Sequence, residues 1–291
     1  MMLSTIVAKI RRKVRAYLDR RRDKALVANL GKPLFTPEEI DLVVSQNRAA
    51  LSLIPNWIND QVYERSIFNY GLPRGLKHFI NEPISRETTY TDALCHLQSK
   101  IKAPIRYLEL GVSVGKNFFQ MANFLKTASL TGFDIEEINP ILESQFTEKT
   151  VIARWPTMAS SMKKGDSSMT EYKFAANKVS YLSGDIFDET SWARLAGMKF
   201  NVIFSDAFHS PDALRFEHGM IKRYDLLDRD NFIILWDDLG GEMTPAFLDI
   251  HVQMESDFGL TSRNLAVNRY RGWVGQHEPE HLVGMIYKLP G

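Results

Sequence analysis

Five short apolar runs, each closing on an acid, constrain this chain more than any other feature. They end at Glu109, Asp134, Asp185, Asp206 and the pair Asp237-Asp238, and they begin at Ile105, Leu130, Val179, Phe200 and Phe232. Their length and apolar character suit strands covered on both faces, and helical stretches lie between them. Strands alternating with helices imply a parallel sheet, whose ligands gather at the carboxyl ends of the strands. All of these acids fall there. The expected class is α/β, a doubly wound, mostly parallel sheet.

The first run breaks into a turn that reads Glu109-x-Gly111-x-x-x-Gly115 and opens a helix from Asn117 to Leu125. The glycines allow a tight turn and a close approach to a ligand, and the helix aims its free N–H groups at the same spot. A phosphate-binding turn would carry Gly-x-Gly-x-x-Gly. Here two glycines remain, and a carboxylate at Glu109 would repel a phosphate while suiting a cation. S-adenosylmethionine carries both an amino group and a sulfonium. Asp134 follows at the spacing where a carboxylate accepts hydrogen bonds from ribose hydroxyls. A plain strand-to-helix turn is the alternative.

In the order of these motifs, Glu109 to Asn117, Asp134, Gly184-Asp185, Asp206 and Asp237-Asp238, residues 100–291 resemble the class I S-adenosylmethionine-dependent methyltransferases. Within that group the chain is most similar to the metal-dependent O-methyltransferases, including the macrocin and rhamnosyl O-methyltransferase relatives and, more distantly, catechol O-methyltransferase. The resemblance implies a Rossmann-like sheet of seven strands with an antiparallel last strand. It implies cofactor contacts from Glu109, Gly111, Ser113, Gly115, Asn117, Asp134, Gly184 and Asp185, and divalent metal ligands at Asp206, Asp237 and Asp238. Two departures stand out. Lys116 and Asn117 occupy places where small Gly and Ser or Thr are usual. Phe208, in Asp206-Ala-Phe208-His209-Ser210, replaces the second acid of the relatives' Asp-Gly-Asp-His-Ser or Asp-x-Asp-x-Tyr.

Three hard oxygen ligands at the mouth of a sheet suit Mg²⁺, which keeps some waters and accepts substrate oxygens. Such an ion acidifies a bound hydroxyl and orients it toward a methyl group. The plainer reading makes Asp206 a helix cap and Asp237-Asp238 a polar loop. His209, with Asp206 beside it in sequence, is the nearest candidate base, since its free pKa lies close to working pH. A loop or capping role is open to it as well. The expected function is a Mg²⁺-dependent O-methyltransferase acting on a hydroxyl of a sugar-like or polyketide-like small molecule or glycan. The alternatives are an RNA or protein methyltransferase docked by the basic N-terminus, and a membrane-associated scaffold of the same fold.

The N-terminus is unlike the rest. Residues 1–24 hold nine Lys or Arg and two Asp, a charge of +7, which leaves −6 for the remainder of a chain whose total is +1. Leu3, Ile6, Val7, Ile10, Val14, Tyr17 and Leu18 recur at three- and four-residue steps, so residues 1–32 read as a basic amphipathic helix. An anionic membrane surface, a second copy of the chain, RNA phosphates, or ordinary packing with a solvated basic face would each suit it. The near-zero total gives no global case for nucleic acid. The single Cys95 forms no internal disulfide and no apolar run reaches membrane-spanning length, which points to a cytoplasmic location, with peripheral contact at the inner membrane face as an option.

Residues 33–100 read as a helical and loop cap over the site, with Thr36-Pro-Glu-Glu as a helix start and Arg86, Glu87, Thr89 and Tyr90 as candidates to line a pocket. Cys95 and His96 are adjacent on a predicted helix, where their side chains point apart. The excursion 141–177, longer than a simple connection, suggests a mobile lid. Near the C-terminus two apolar stretches flank Gly275 to Pro279, which reads as a hairpin turn, and Tyr270 and Trp273 are candidates to face a substrate.

Overall fold

The computed structural model describes residues 21–72, 74–272 and 280–289. Its strands are β1 Ile105–Leu110, β2 Ala128–Asp134, β3 Thr147–Trp155, β4 Ser167–Phe174, β5 Asn177–Ser183, β6 Val202–Ser205, β7 Phe232–Trp236, β8 Leu265–Arg271 and β9 Glu280–Lys288. They form one sheet in the order β3-β4-β5-β2-β1-β6-β7-β9-β8. The five apolar runs supply β1, β2, β5, β6 and β7, which pair in parallel, β5 to β2, β2 to β1, β1 to β6 and β6 to β7. Counted in chain order these five lie 3-2-1-4-5, so the order reverses beside β1 and opens a crevice at the carboxyl ends of β1 and β6. β9 runs antiparallel against β7, and β8 against β9.

The doubly wound architecture with a parallel centre is the expected one, but among the described residues the sheet has nine strands rather than seven. The excursion 141–177 folds mainly as the hairpin β3–β4, and β4 adds antiparallel to β5 from Ser168↔Ser183 to Phe174↔Asn177. The expected lid is therefore largely a sheet extension. Its outer strand keeps Thr147, Glu148, Lys149 and Thr150 exposed, a polar edge that discourages further pairing. Only the hairpin's tip turns toward the crevice.

Besides the helical residues 21–30, five longer helices among the described residues cover the sheet: α1 Pro37–Leu51, α2 Tyr90–Gln98, α3 Lys116–Phe124, α4 Pro211–Arg223 and α5 Met243–Phe258. Capping boxes start α1 and α2, Thr36 with Glu39 and Thr89 with Asp92, each satisfying two backbone donors that the helix leaves open. Alternation along β1 divides the core. Tyr107 joins Trp57, Tyr90 and Phe118 on one face, while Leu108 and Leu110 join Trp192, Leu214 and Phe247 on the other. The segment 33–100 shares the first of these clusters with the sheet. Arg48 on α1 reaches the fully buried Asp92 on α2 at 2.7 Å and ties the two helices together.

Residues 21–30 are helical, and Leu26, Val27 and Leu30 pack on the second cluster. The rest of the expected basic helix, residues 1–20, lies outside the described residues, as do Trp273 and the turn 275–279. Tyr270 is buried and stacks on Phe35, with ring centroids 6.2 Å apart, so it belongs to the core. No helix among the described residues is long and apolar enough to cross a membrane.

Candidate active site

The turn after β1 is held by Asp134, the last residue of β2. One carboxylate oxygen accepts the backbone N–H groups of Val112 and Ser113 at 2.7 and 2.8 Å, and the other accepts Glu136 N–H at 2.8 Å. Burial pushes the Asp134 carboxyl up to about 6 although these donors favour its charged form. Gly111 and Ser113 take left-handed backbone, with φ of 80° and 55°. A Cβ on Gly111 would lie 2.3 Å from the Asp206 carbonyl oxygen, so glycine here lets the loop after β1 pack on the loop after β6. Gly115 caps α3 at φ 93°, against Leu142.

Glu109 is wholly buried. Its Oε2 accepts the Tyr107 hydroxyl at 2.5 Å, while Oε1 is buried without a partner among the described residues. Burial raises its pKa well above the carboxylate range, against the pull of Tyr107, and the nearby charges of Asp206 and Asp134 add to the rise. Asn117 accepts a hydrogen bond from Thr91 at 2.6 Å and so anchors α3 to α2. Gly184 gives close packing, since a Cβ would meet Ser191 Oγ at 2.5 Å. Asp185 accepts Ser161 Oγ–H at 2.7 Å and Phe187 N–H at 2.9 Å.

At the ends of β6 and β7 the acids meet two histidines. His209 Nε2 is 3.0 Å from Asp206 Oδ1, and its Nδ1 is 3.3 Å from Asp238 Oδ2. His281 of β9 places Nδ1 2.7 Å from Asp237 Oδ2 and 3.2 Å from Asp238 Oδ1. The Tyr90 hydroxyl, from the cap, donates to Asp206 Oδ2 at 3.2 Å. Asp237 is 1% exposed and its Oδ1 has no partner among the described residues. Burial pushes the Asp237 carboxyl up to about 7, Asp206 adding to it and His281 opposing, whereas the hydrogen bond from His281 lowers Asp238. Burial draws His209 down, but the hydrogen bond and charge of Asp206, then Asp238 and Asp237, outweigh it and push the imidazole up to about 9. Potential ligand atoms of Asp206, His209 and Asp237 lie within 4.8 Å of one another, and so do those of Asp237, Asp238 and His281. The expected acids are thus at one place, but each three-residue group contains an imidazole.

One cavity of about 340 Å³ runs from the glycine turn to the rim of the acid cluster, with Gly111, Ser113, Asp134 and Asp185 on one part of its wall and, on another, Phe208 and Asp206, the member of the cluster that borders it. Ile135, Ile186 and Phe187 give it apolar faces, and Met162 from the β3–β4 tip borders it. Phe68 and Tyr70 of the cap close it. Glu136 holds that closure by accepting the Ser66 hydroxyl, Ile67 N–H at 3.2 Å and Phe68 N–H at 2.5 Å, and Ser113 Oγ–H donates to Tyr70 O at 2.5 Å. Of the cap residues expected to line a pocket, Tyr90 reaches the site. Thr89 caps α2 and Glu87 pairs with Arg271 at 2.5 Å. Sequence reasoning missed Glu136, Tyr70 and His281. Glu136 had a usable signal as a second acid two residues past Asp134; His281 had none, because its place depends on the β7–β9 register.

No family model matches this chain, and no curated protein sequence does. Among solved structures it is similar in fold to the MycE methyltransferase of the mycinamycin biosynthetic pathway, in complex with Mg and SAH, at 13% identity and a TM-score of 0.41 over 68% of this chain. The match takes in 48% of MycE, so the chain spans about half that protein's length. A putative rRNA methylase from Clostridium thermocellum matches at 12% identity and a TM-score of 0.40, over 70% of this chain and 98% of its own. A putative O-methyltransferase from Klebsiella pneumoniae matches at 15% and 0.37, over 93% and 97%. Likenesses this distant decide nothing about chemistry, so the fold, a doubly wound Rossmann-like sheet closed at one edge by an antiparallel pair, rests on the chain's own strand order.

Proposed function

We propose that the chain is an S-adenosylmethionine-dependent O-methyltransferase that modifies a hydroxyl of a small molecule, with a divalent ion held among Asp206, Asp237 and Asp238. The observation that carries this reading is the single cavity running from the glycine turn, Asp134 and Asp185 to Asp206. Its apolar faces at Ile135, Ile186 and Phe187 suit a purine, and its acids suit ribose hydroxyls and a cationic amino acid end. The donor set fits an ion as well. Asp237 Oδ1 is buried and unpartnered, and among the described residues the ion pairs of all three acids go to histidine. The resemblance by itself would imply Mg²⁺ for that ion.

Bound there, the cofactor would supply an electrophilic methyl group and the ion a positive charge beside the acceptor oxygen. The chain does the rest. Asp134 fixes the turn, the cap residues Phe68 and Tyr70 line the cavity, and His209, held in its charged form between Asp206 and Asp238, would become a neutral base for the acceptor's proton once those carboxylates turn to a bound dication. Phe208 is 50% exposed, and its ring lies 5.8 Å from that of Phe187 at the cavity wall. This pair favours an acceptor with an apolar face beside its hydroxyl, the polyketide-like option over a bare sugar.

Calorimetric titration of S-adenosylhomocysteine tests the cofactor half. Micromolar binding that Gly111→Val and Asp134→Ala abolish is expected. A folded wild-type protein that shows no binding would sink the proposal.

A further inference from the structure

The acids at the ends of β6 and β7 are paired, among the described residues, with two imidazoles and with no lysine or arginine. One of them, His281, comes from β9, a strand that the motif order does not reach. It is 13% exposed and sits within 3.2 Å of both Asp237 and Asp238, in the group whose potential ligand atoms lie within 4.8 Å of one another. The neighbouring Asp237 Oδ1, buried and unpartnered, marks this as a place built for a further positive partner. Mg²⁺ takes oxygen donors and gives up water reluctantly, whereas imidazole suits first-row transition dications.

We propose that His281 is a direct metal ligand and that, with Asp237 and Asp238, it makes this a mixed nitrogen and oxygen site for a transition dication such as Mn²⁺ or Co²⁺ in preference to Mg²⁺. The inference deepens the methyltransferase reading and rests on its metal half. The competing role for His281 is to orient Asp237 from behind. An orienting histidine would support every ion alike, at about 10–100-fold in affinity, whereas a ligand supports the nitrogen-seeking ions selectively.

The test uses the full chain stripped of metal, titrated calorimetrically with Co²⁺, Mn²⁺ and Mg²⁺, together with His281→Asn and His281→Gln variants whose folding is checked by thermal melting. Pulsed electron paramagnetic resonance of the Mn²⁺-loaded protein reads directly bonded ¹⁴N. Expected are Co²⁺ binding at least about tenfold tighter than Mg²⁺, a loss of about tenfold or more in Co²⁺ affinity in the variants with Mg²⁺ affinity nearly unchanged, and a ¹⁴N coupling that disappears with His281. Equal losses for all ions, a ¹⁴N coupling that survives the substitution, or no ion binding at all would each overturn the inference. S-adenosylhomocysteine titrated into the same samples keeps the outcomes apart: binding of the nucleoside without the expected metal behaviour leaves the cofactor reading standing, and the reverse leaves His281 a ligand in a protein of different chemistry.

Discussion

At the scale of the residue, Gly111 is where sequence and site coincide most closely. An added methyl group would both strain a backbone at φ 80° and push on the Asp206 carbonyl 2.3 Å away. Gly111→Ala should therefore cost about 1–3 kcal/mol and weaken S-adenosylhomocysteine binding, measured by chemical denaturation and calorimetry. Unchanged stability would show that the loop after β6 yields freely. The glycine turn was legible because its residue types are forced by backbone geometry. Which atoms partner which was not. Glu109 reads as a ligand for a cation, and the sequence did not show that its Oε2 accepts the Tyr107 hydroxyl inside the core while Oε1 stays unpartnered among the described residues, or that Asn117 Oδ1 accepts Thr91. His281 was invisible among strand residues, since only the antiparallel pairing of β9 with β7 brings it to Asp237.

Among the elements, the cap is the piece whose attachment is most specific. Glu136 gathers three donors from residues 66–68, so Glu136→Ala should loosen that segment and lower nucleoside affinity while the sheet keeps its stability. Hydrogen exchange of residues 66–71 should rise selectively, and uniform protection across the variant would contradict the pinning role. Deeper in the cap, Arg48→Ala would strand the buried charge of Asp92 and should cost about 3–5 kcal/mol in denaturant titrations. A loss under 1 kcal/mol would mean that the Thr89 and Asn47 contacts to Asp92 suffice. The capping boxes of α1 and α2 are local patterns and could be read directly. The β3–β4 hairpin could not, because Thr147 to Thr150 form a polar edge whose strand character comes from pairing rather than from apolar alternation.

Across the whole molecule, charge burial far from the site sets an acid limit to stability. His218 of α4 is held down to about 4, chiefly by burial and then by Lys222, with Asp257 opposing, whereas in the unfolded chain it titrates near its ordinary value. A depressed folded value means that the contribution is present above about pH 6.5 and is lost as pH falls toward 4, because the unfolded chain takes the proton first. His218→Gln should flatten that part of the stability profile by up to about 3 kcal/mol between neutral pH and pH 4. An unaltered profile would remove His218 from the account. In the proposed function one crevice, opened where the strand order reverses, holds a methyl donor beside an acid and histidine cluster. Methyl-¹³C-labelled S-adenosylmethionine bound to the Mn²⁺-loaded protein tests it most directly by nuclear magnetic resonance. Strong paramagnetic broadening of the methyl signal, relieved by EDTA and absent in Asp237→Asn, is the predicted result; a sharp methyl signal with donor and Mn²⁺ both bound would contradict the account.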